Sequence, residues 1–274
     1  MITGKKRIND TFASLRERGE KGLITYVTAG YPDAGQTLEI ARVLADSGSD
    51  LIEIGIPFSD PTADGPVIQQ ASHRALAGGI KQADIFNLVE RLRKHTDLPV
   101  LLMTYYNPVL RAGLGGFIGR ARDAGVDGLI VPDLPVEEDD ELRFEATVAG
   151  LSLIPLAAPT STGPRLKKIA AKADGFIYCV SVTGVTGSRK AIDTDLGSFA
   201  RRVRDTTGHP LAVGFGVSGP EAASRVAAGF DAVVVGSAVV RAIEGDGGLP
   251  GVLQRVGSLT RAIKDALMQG GAAR

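Results

Sequence analysis

The sequence predicts a single (β/α)8 barrel spanning its 274 residues. Three observations carry that expectation. The length suits one such barrel, which typically takes about 250 residues. Eight short apolar runs rich in β-branched residues recur along the chain, and such runs read as strands buried on both faces. Amphipathic stretches with helical spacing lie between them, and this alternation argues for a parallel sheet closed on itself. An open doubly wound sheet is the competing architecture. The lack of any domain-sized linker favours the barrel, with residues 1–274 as one domain.

The elements follow in order. Arg7–Arg18 reads as an extra N-terminal helix placed to cap the barrel floor. The expected strands are Leu23–Thr28, Leu51–Ile56, Val100–Thr104, Gly128–Val131, Leu151–Leu156, Phe176–Val180, Leu211–Phe215 and Ala232–Val235. Helical spacing marks Thr37–Ser47, Ile85–Lys94, Phe117–Ala124, Arg165–Ala173, Phe199–Asp205, Glu221–Ala228 and Val252–Leu267. Several of these end in glycine, as helix stops often do: Ser47-Gly48, Ala124-Gly125 and Ala228-Gly229. A short further helix follows the eighth strand, running to about Ile243.

Composition narrows the function. Apolar residues are 44% and charged residues 23%, which is ordinary for a globular chain. Lys plus Arg equals Asp plus Glu at 31 each, so no basic excess points to nucleic acid or an anionic membrane. No run of about 18 apolar residues marks a membrane span, and the polar, basic start Met1–Asp10 predicts no secretory signal. The single Cys179 forms no internal disulfide and fits a reducing, cytoplasmic setting. No metal site is expected.

Two units are oversized. The starts of the second and third strands lie 49 residues apart, and those of the sixth and seventh 35 apart. Barrel chemistry concentrates in the loops after strands, so these two loops are candidate functional segments, with neutral drift in loop length as the alternative.

The expected strands contain no Lys, Arg or His, and one carboxylate, Glu53. Alternation puts Ile52, Ile54 and Ile56 on one face, toward the helices, and Leu51, Glu53 and Gly55 on the other, toward the barrel interior. An ionised carboxylate there is costly, so its pKa should rise unless it is paired. A raised carboxylate pKa suits general acid/base work near neutrality. The alternative is a structural Glu bonded to backbone or water. The loop that follows, Pro57–Pro66, holds Asp60 and Asp64. Asp64 precedes Pro66, so helix-capping chemistry accounts for it as readily as catalysis does. A second carboxylate with a different pKa would still complement Glu53.

The other end of the argument is phosphate. The seventh strand runs into Gly214-Phe215-Gly216-Val217-Ser218 and a helix near Pro220; the eighth runs into Gly236-Ser237-Ala238. Gly-rich turns after the last two strands, with a short extra helix, are the recurring phosphate site of such barrels. Backbone N–H groups approach the anion there and the helix N-terminus adds partial positive charge. Simple tight turns are the alternative. No Walker-type lysine follows, so no nucleoside triphosphate is inferred. The sixth loop, Thr183–Asp195, is long, polar and glycine-hinged, which reads as a lid or as a plain connector.

At this point the motifs resemble a known family. The stretch from Glu53 through Ile54-Gly55-Ile56-Pro57-Phe58-Ser59-Asp60-Pro61-Thr62-Ala63-Asp64-Gly65 to Pro66 closely resembles the signature of tryptophan synthase alpha subunits. Leu102–Pro108, Pro132-Asp133-Leu134-Pro135, Gly184-Val185-Thr186-Gly187 and Gly214–Ser218 add to it. The resemblance implies a TIM barrel that cleaves indole-3-glycerol phosphate to indole and glyceraldehyde 3-phosphate. It implies Glu53 as general acid/base and Asp64 as acceptor of the indole N–H. It further implies Tyr178 as a positioning wall, Tyr26, Tyr105 and Ile130 lining the indole pocket, and Thr186 orienting Asp64. Gly187, Phe215, Gly216, Gly236 and Ser237 would bind or flank the phosphate. No cofactor is implied for this chain; pyridoxal phosphate is expected in a beta-subunit partner, within an α2β2 heterotetramer, with Ser59, Asp60 and Pro61 at the interface. Two positions vary among such proteins: Phe176 stands where some have Tyr, and Tyr26 where some have Phe, adding a hydroxyl that needs a partner.

Other readings meet specific obstacles. A Schiff-base aldolase needs an interior lysine, and no expected strand has one. A phosphoribosyl isomerase barrel looks for an acid/base after the first strand, where this chain has Val27-Thr28-Ala29. A non-catalytic binding barrel would be marked by loss of one carboxylate, and both are present.

Overall fold

The computed structural model describes residues 4–180, 189–214 and 216–271, without the side chains of 189–195 and 270–271. Its strand segments are β1 (Gly22–Thr28), β2 (Leu51–Gly55), β3 (Val100–Met103), β4 (Gly128–Ile130), β5 (Ser152–Ile154), β6 (Leu156–Ala157), β7 (Ile177–Val180), β8 (Leu211–Gly214) and β9 (Ala232–Val235). All pair in parallel, in the order β5-β4-β3-β2-β1-β9-β8-β7-β6. The two ends of that order are halves of one strand, separated by Pro155 alone. Chain continuity therefore closes the ring. The expected single strand Leu151–Leu156 is broken because proline has no N–H to give to a ladder. The Pro155 carbonyl still accepts from the Tyr178 N–H at 3.0 Å.

Alternation along the strands builds two cores. Ile24, Leu51, Leu101, Ile130, Ile154, Ala212, Ala232 and Val234 point inward and form the barrel interior. Ile52, Ile54, Leu102, Leu129, Val213 and Val233 point outward and pack under the helices. The N-terminal helix, α1 (Gly4–Glu17), joins the inner core: Ile8, Phe12 and Leu15 are buried there, and the Phe12 and Phe176 rings meet at 5.3 Å. It plugs the floor, as its spacing predicts.

The outer layer is α2 (Ala34–Asp46), α3 (Pro66–Ala77), α4 (Gln82–Arg93), α5 (Tyr106–Ala112), α6 (Leu114–Ala124), α7 (Asp140–Ala149), α8 (Gly163–Ala171), α9 (Arg189–Arg204), α10 (Pro220–Val226), α11 (Ser237–Ile243) and α12 (Gly248–Gly271). The long unit after β2 is explained by two helices, α3 and α4, where one is usual. Gly125 ends α6 at φ +88, a left-handed cap that glycine adopts at little cost. Helices α5 and α7 escape the periodicity. On α7, Phe144 and Val148 are about 70% exposed, which blurs any apolar stripe. Helix α9 begins at Arg189, well before the expected Phe199, so Arg189–Asp195 is helical and not loop. That stretch offers only Ala191 and Ile192 as apolar positions. No helix among the described residues is long and apolar enough to cross a membrane.

Candidate active site

The observed strands carry one carboxylate and no Lys, Arg or His. Glu53, at the centre of β2, projects inward between Leu51 and Gly55 and is 1% exposed. Neither of its carboxyl oxygens has a hydrogen-bond partner among the described residues. The reading of Glu53 as a structural residue bonded to backbone finds no such bond there. Burial, with Asp64 nearby as the second cause, pushes its pKa up to about 8. It is therefore mostly protonated at neutral pH.

Two tyrosines flank it. Tyr26 on β1 is the direct register partner of Glu53. Its ring leans over Gly55, where an added Cβ would stand 2.1 Å from the hydroxyl oxygen. Tyr178 on β7 leans over Gly214 in the same way, 2.6 Å from its would-be Cβ. A side chain at either glycine would collide with the ring. Burial raises both phenol pKa values, so both tyrosines stay neutral. The Tyr26 hydroxyl finds its partner in Thr28 Oγ1 at 3.1 Å. Ile130, on β4, completes this wall from the inner core.

Asp64 closes the mouth from the loop after β2. It does not cap α3: the N-cap there is Gly65, with no side-chain cap bond, and Pro66 opens the helix. Its carboxylate instead accepts from the Tyr105 hydroxyl at 3.1 Å. That same hydroxyl accepts from the Ala63 N–H at 2.9 Å, and the Tyr105 ring stacks on Phe58 at 5.1 Å. Burial raises Asp64 to about 6 against the lowering effect of the Tyr105 bond. The two carboxylates are thus separated: Glu53 holds a proton at neutrality while Asp64 is largely ionised. Local sequence could not find the Tyr105–Asp64 bond, which spans 41 positions. In the same loop Ser59 and Asp60 are exposed and joined by a 2.6 Å hydrogen bond, whereas Pro61 is buried.

The phosphate candidates sit at the same end. Gly219 caps α10 and Gly236 caps α11, each at the end of a parallel strand unit and each without a side-chain cap bond. The short helix after the last strand, α11, begins at Ser237 and ends at Ile243, as expected. Gly216 is exposed and a Cβ there would meet nothing within 4 Å, so packing does not require glycine at that position. A Cβ on Gly236 would stand 3.5 Å from the Tyr26 side chain, so this turn adjoins the tyrosine wall. Thr186, Gly187 and Phe215, with the proposed lid segment from Thr183 to Ser188, lie outside the described residues.

Arranged this way, this end of the barrel offers a buried protonated carboxyl, an anion near it, and the N-terminus of α11 beside the tyrosine wall. Comparison with known proteins agrees with that chemistry. Residues 12–268 match the family described as Tryptophan synthase alpha chain. The tryptophan synthase alpha chain of Citrifermentans bemidjiense is 49% identical over 96% of this chain and 98% of its own length. That of a Thermoanaerobacter species is 45% identical over 95% and 99%. Among solved structures, tryptophan synthase subunit alpha from Legionella pneumophila superposes with a TM-score of 0.87 at 37% identity, covering 95% of this chain and 98% of that one. A Mycobacterium tuberculosis tryptophan synthase chain gives 0.87 at 35% identity, covering 96% and 98%.

Proposed function

We propose a function for a chain that belongs to the tryptophan synthase alpha chain family: it catalyses the alpha reaction of tryptophan biosynthesis, the retro-aldol cleavage of indole-3-glycerol phosphate to indole and glyceraldehyde 3-phosphate. The observation that carries the assignment is the buried Glu53 carboxyl in the barrel, without a hydrogen-bond partner among the described residues and pushed up to about 8 by burial, with Asp64 at the mouth.

The residue roles follow from those protonation states. Glu53 gives its proton to indole C3. The ring becomes an indolenine-like cation whose N–H is held by the Asp64 carboxylate, and opposite charges at short range stabilise it. Glu53 is then ionised in a dry site beside a second anion, which makes it a strong base. It takes the proton of the glycerol hydroxyl as the carbon–carbon bond breaks, and the lost electron pair restores the indole. Tyr105 fixes Asp64 and its loop. Tyr26, Tyr178 and Ile130 shape the indole pocket, and Thr186 orients Asp64. Gly187, Phe215, Gly216, Gly236 and Ser237 bind or flank the phosphate, supported for the last three by the open turns at α10 and α11.

The chain acts as one barrel domain over residues 1–274. The alpha chain of this family carries no cofactor; pyridoxal phosphate belongs to the beta subunit, the family's partner. We place the chain in a cytoplasmic α2β2 heterotetramer, with exposed Ser59 and Asp60 at the interface and buried Pro61 supporting them. An assay of indole release from indole-3-glycerol phosphate, with and without beta subunit, tests the reading. Indole formation that rises with beta subunit is expected. No release under either condition overturns the activity, and no binding or stimulation overturns the interface.

A further inference from the structure

Tyr26 carries a hydroxyl that the steps above do not use. Its position is fixed from three sides. Tyr26 and Glu53 are register partners on adjacent strands. The ring rises over Gly55, one inward position beyond Glu53 on β2, so the hydroxyl stands on the mouth side of that carboxyl. Thr28, the register partner of Gly55 and fully buried, holds the hydroxyl at 3.1 Å. A phenylalanine ring would fill the same seat; only the oxygen distinguishes this chain's tyrosine.

Among the described residues the groups facing Glu53 are few. The loop after β2 contributes Asp64, with Tyr105 behind it; β1 contributes Tyr26 and β7 contributes Tyr178. The neighbour on the other side, β3, offers Leu101 and Met103, which do not titrate. Among the described residues none of these groups is a cation. When Glu53 loses its proton, the nearby polarity that can respond is hydroxyl dipoles. A tyrosine and a threonine hydroxyl each donate and accept. Thr28 can donate to Tyr26 and free the phenol O–H to turn toward new negative charge, then reverse when Glu53 is reprotonated.

We propose that Tyr26 is a positioning residue of the acid/base pair: the Tyr26–Thr28 hydroxyl pair, seated on Gly55, is the switchable dipole that stabilises Glu53 in its ionised state. The proposal rests on the assignment of Glu53 as the proton carrier.

Tyr26→Phe keeps the ring and removes the oxygen. The Glu53 carboxyl is followed by 13C NMR in protein labelled at glutamate, its signal assigned by its absence in Glu53→Gln. In Tyr26→Phe its titration is expected to move up by about 0.5–1 pH unit. The limb of the kcat profile that Glu53 governs moves with it, while KM changes by less than about twofold. An unmoved Glu53 titration overturns the proposal, whatever the activity. A change confined to KM, with both profiles in place, also overturns it and leaves Tyr26 as pocket wall only. A shifted titration in a protein that releases no indole supports the dipole and sinks the functional reading instead, so the two failures are told apart.

Discussion

Glu53 inside the barrel and Asp127 at its floor are both buried carboxylates, and they are treated in opposite ways. Asp127, just before β4, is completely buried, yet its oxygens are filled: Arg7 reaches one, and Arg93 and the Val100 N–H reach the other, the last at 2.7 Å. Burial raises its pKa, and those partners pull it back. Arg7 comes from α1 and Arg93 from α4, so this carboxylate ties the plug helix and the outer layer to the floor. Among the described residues Glu53 has none of this. The same desolvation acts on both, and the difference lies in compensation. A satisfied charge fastens a structure together, whereas an unsatisfied one is left with a proton to give.

That contrast can be broken by experiment. The largest effect is expected for Glu53→Gln, which should cut indole formation by about 10²–10⁴-fold with the fold retained. Circular dichroism and the indole assay check it together, and appreciable turnover would remove Glu53 from the mechanism. Next comes Asp127→Asn, which leaves two arginines facing a neutral group. It should cost about 3 kcal/mol of stability in urea while kcat of the folded protein is kept. A fall in kcat without loss of stability would erase the distinction between the two carboxylates.

The third test is pH. Folded Glu53 holds its proton up to about 8, against an ordinary value of 4.5, so the folded state binds the extra proton between these limits. The associated stability is complete below the lower value and is lost as pH rises through the upper one. The slope reaches about 1.4 kcal/mol per pH unit. Glu53→Gln should flatten that decline, and parallel curves for the two proteins would contradict it. The smallest effect is expected for Tyr105→Phe, which removes the bond holding the Asp64 pKa down. Asp64 then titrates at higher pH, the acid limb of the rate profile moves up, and turnover near neutrality falls by roughly tenfold. An unmoved limb would separate Tyr105 from Asp64.

How much of this was legible in the sequence depends on the range of each interaction. Glu53 was legible because strand alternation is local and no other charge shares the strands. The plug helix was legible as the stretch Arg7–Arg18, and the structure adds that Ile8, Phe12 and Leu15 form its buried stripe. Asp64 is legible only through the family resemblance, since an aspartate before a proline-led helix by itself looks like a cap; its partner, Tyr105, lies on the next strand unit. The seats at Gly55 and Gly214 were invisible for the same reason, each being matched to a tyrosine on a neighbouring strand. Helix α7 hid because its outward face is apolar, and the early start of α9 because its first turns are polar.

The break at Pro155 bears on how the barrel breathes. On β1 the ladder runs over five residue pairs to β2 and four to β9, while the fifth stave is held by three pairs to β4 and two to β7. With five pairs in all, this stave has the fewest among the described residues, against nine on β1 and nine on β2. In amide exchange with deuterium it should be the seam of the ring, opening locally before β1 and β2 release their protons. Slow fluctuation of the wall is thereby steered to the side of the barrel away from Glu53, whose own strand lies in the most tightly laddered sector.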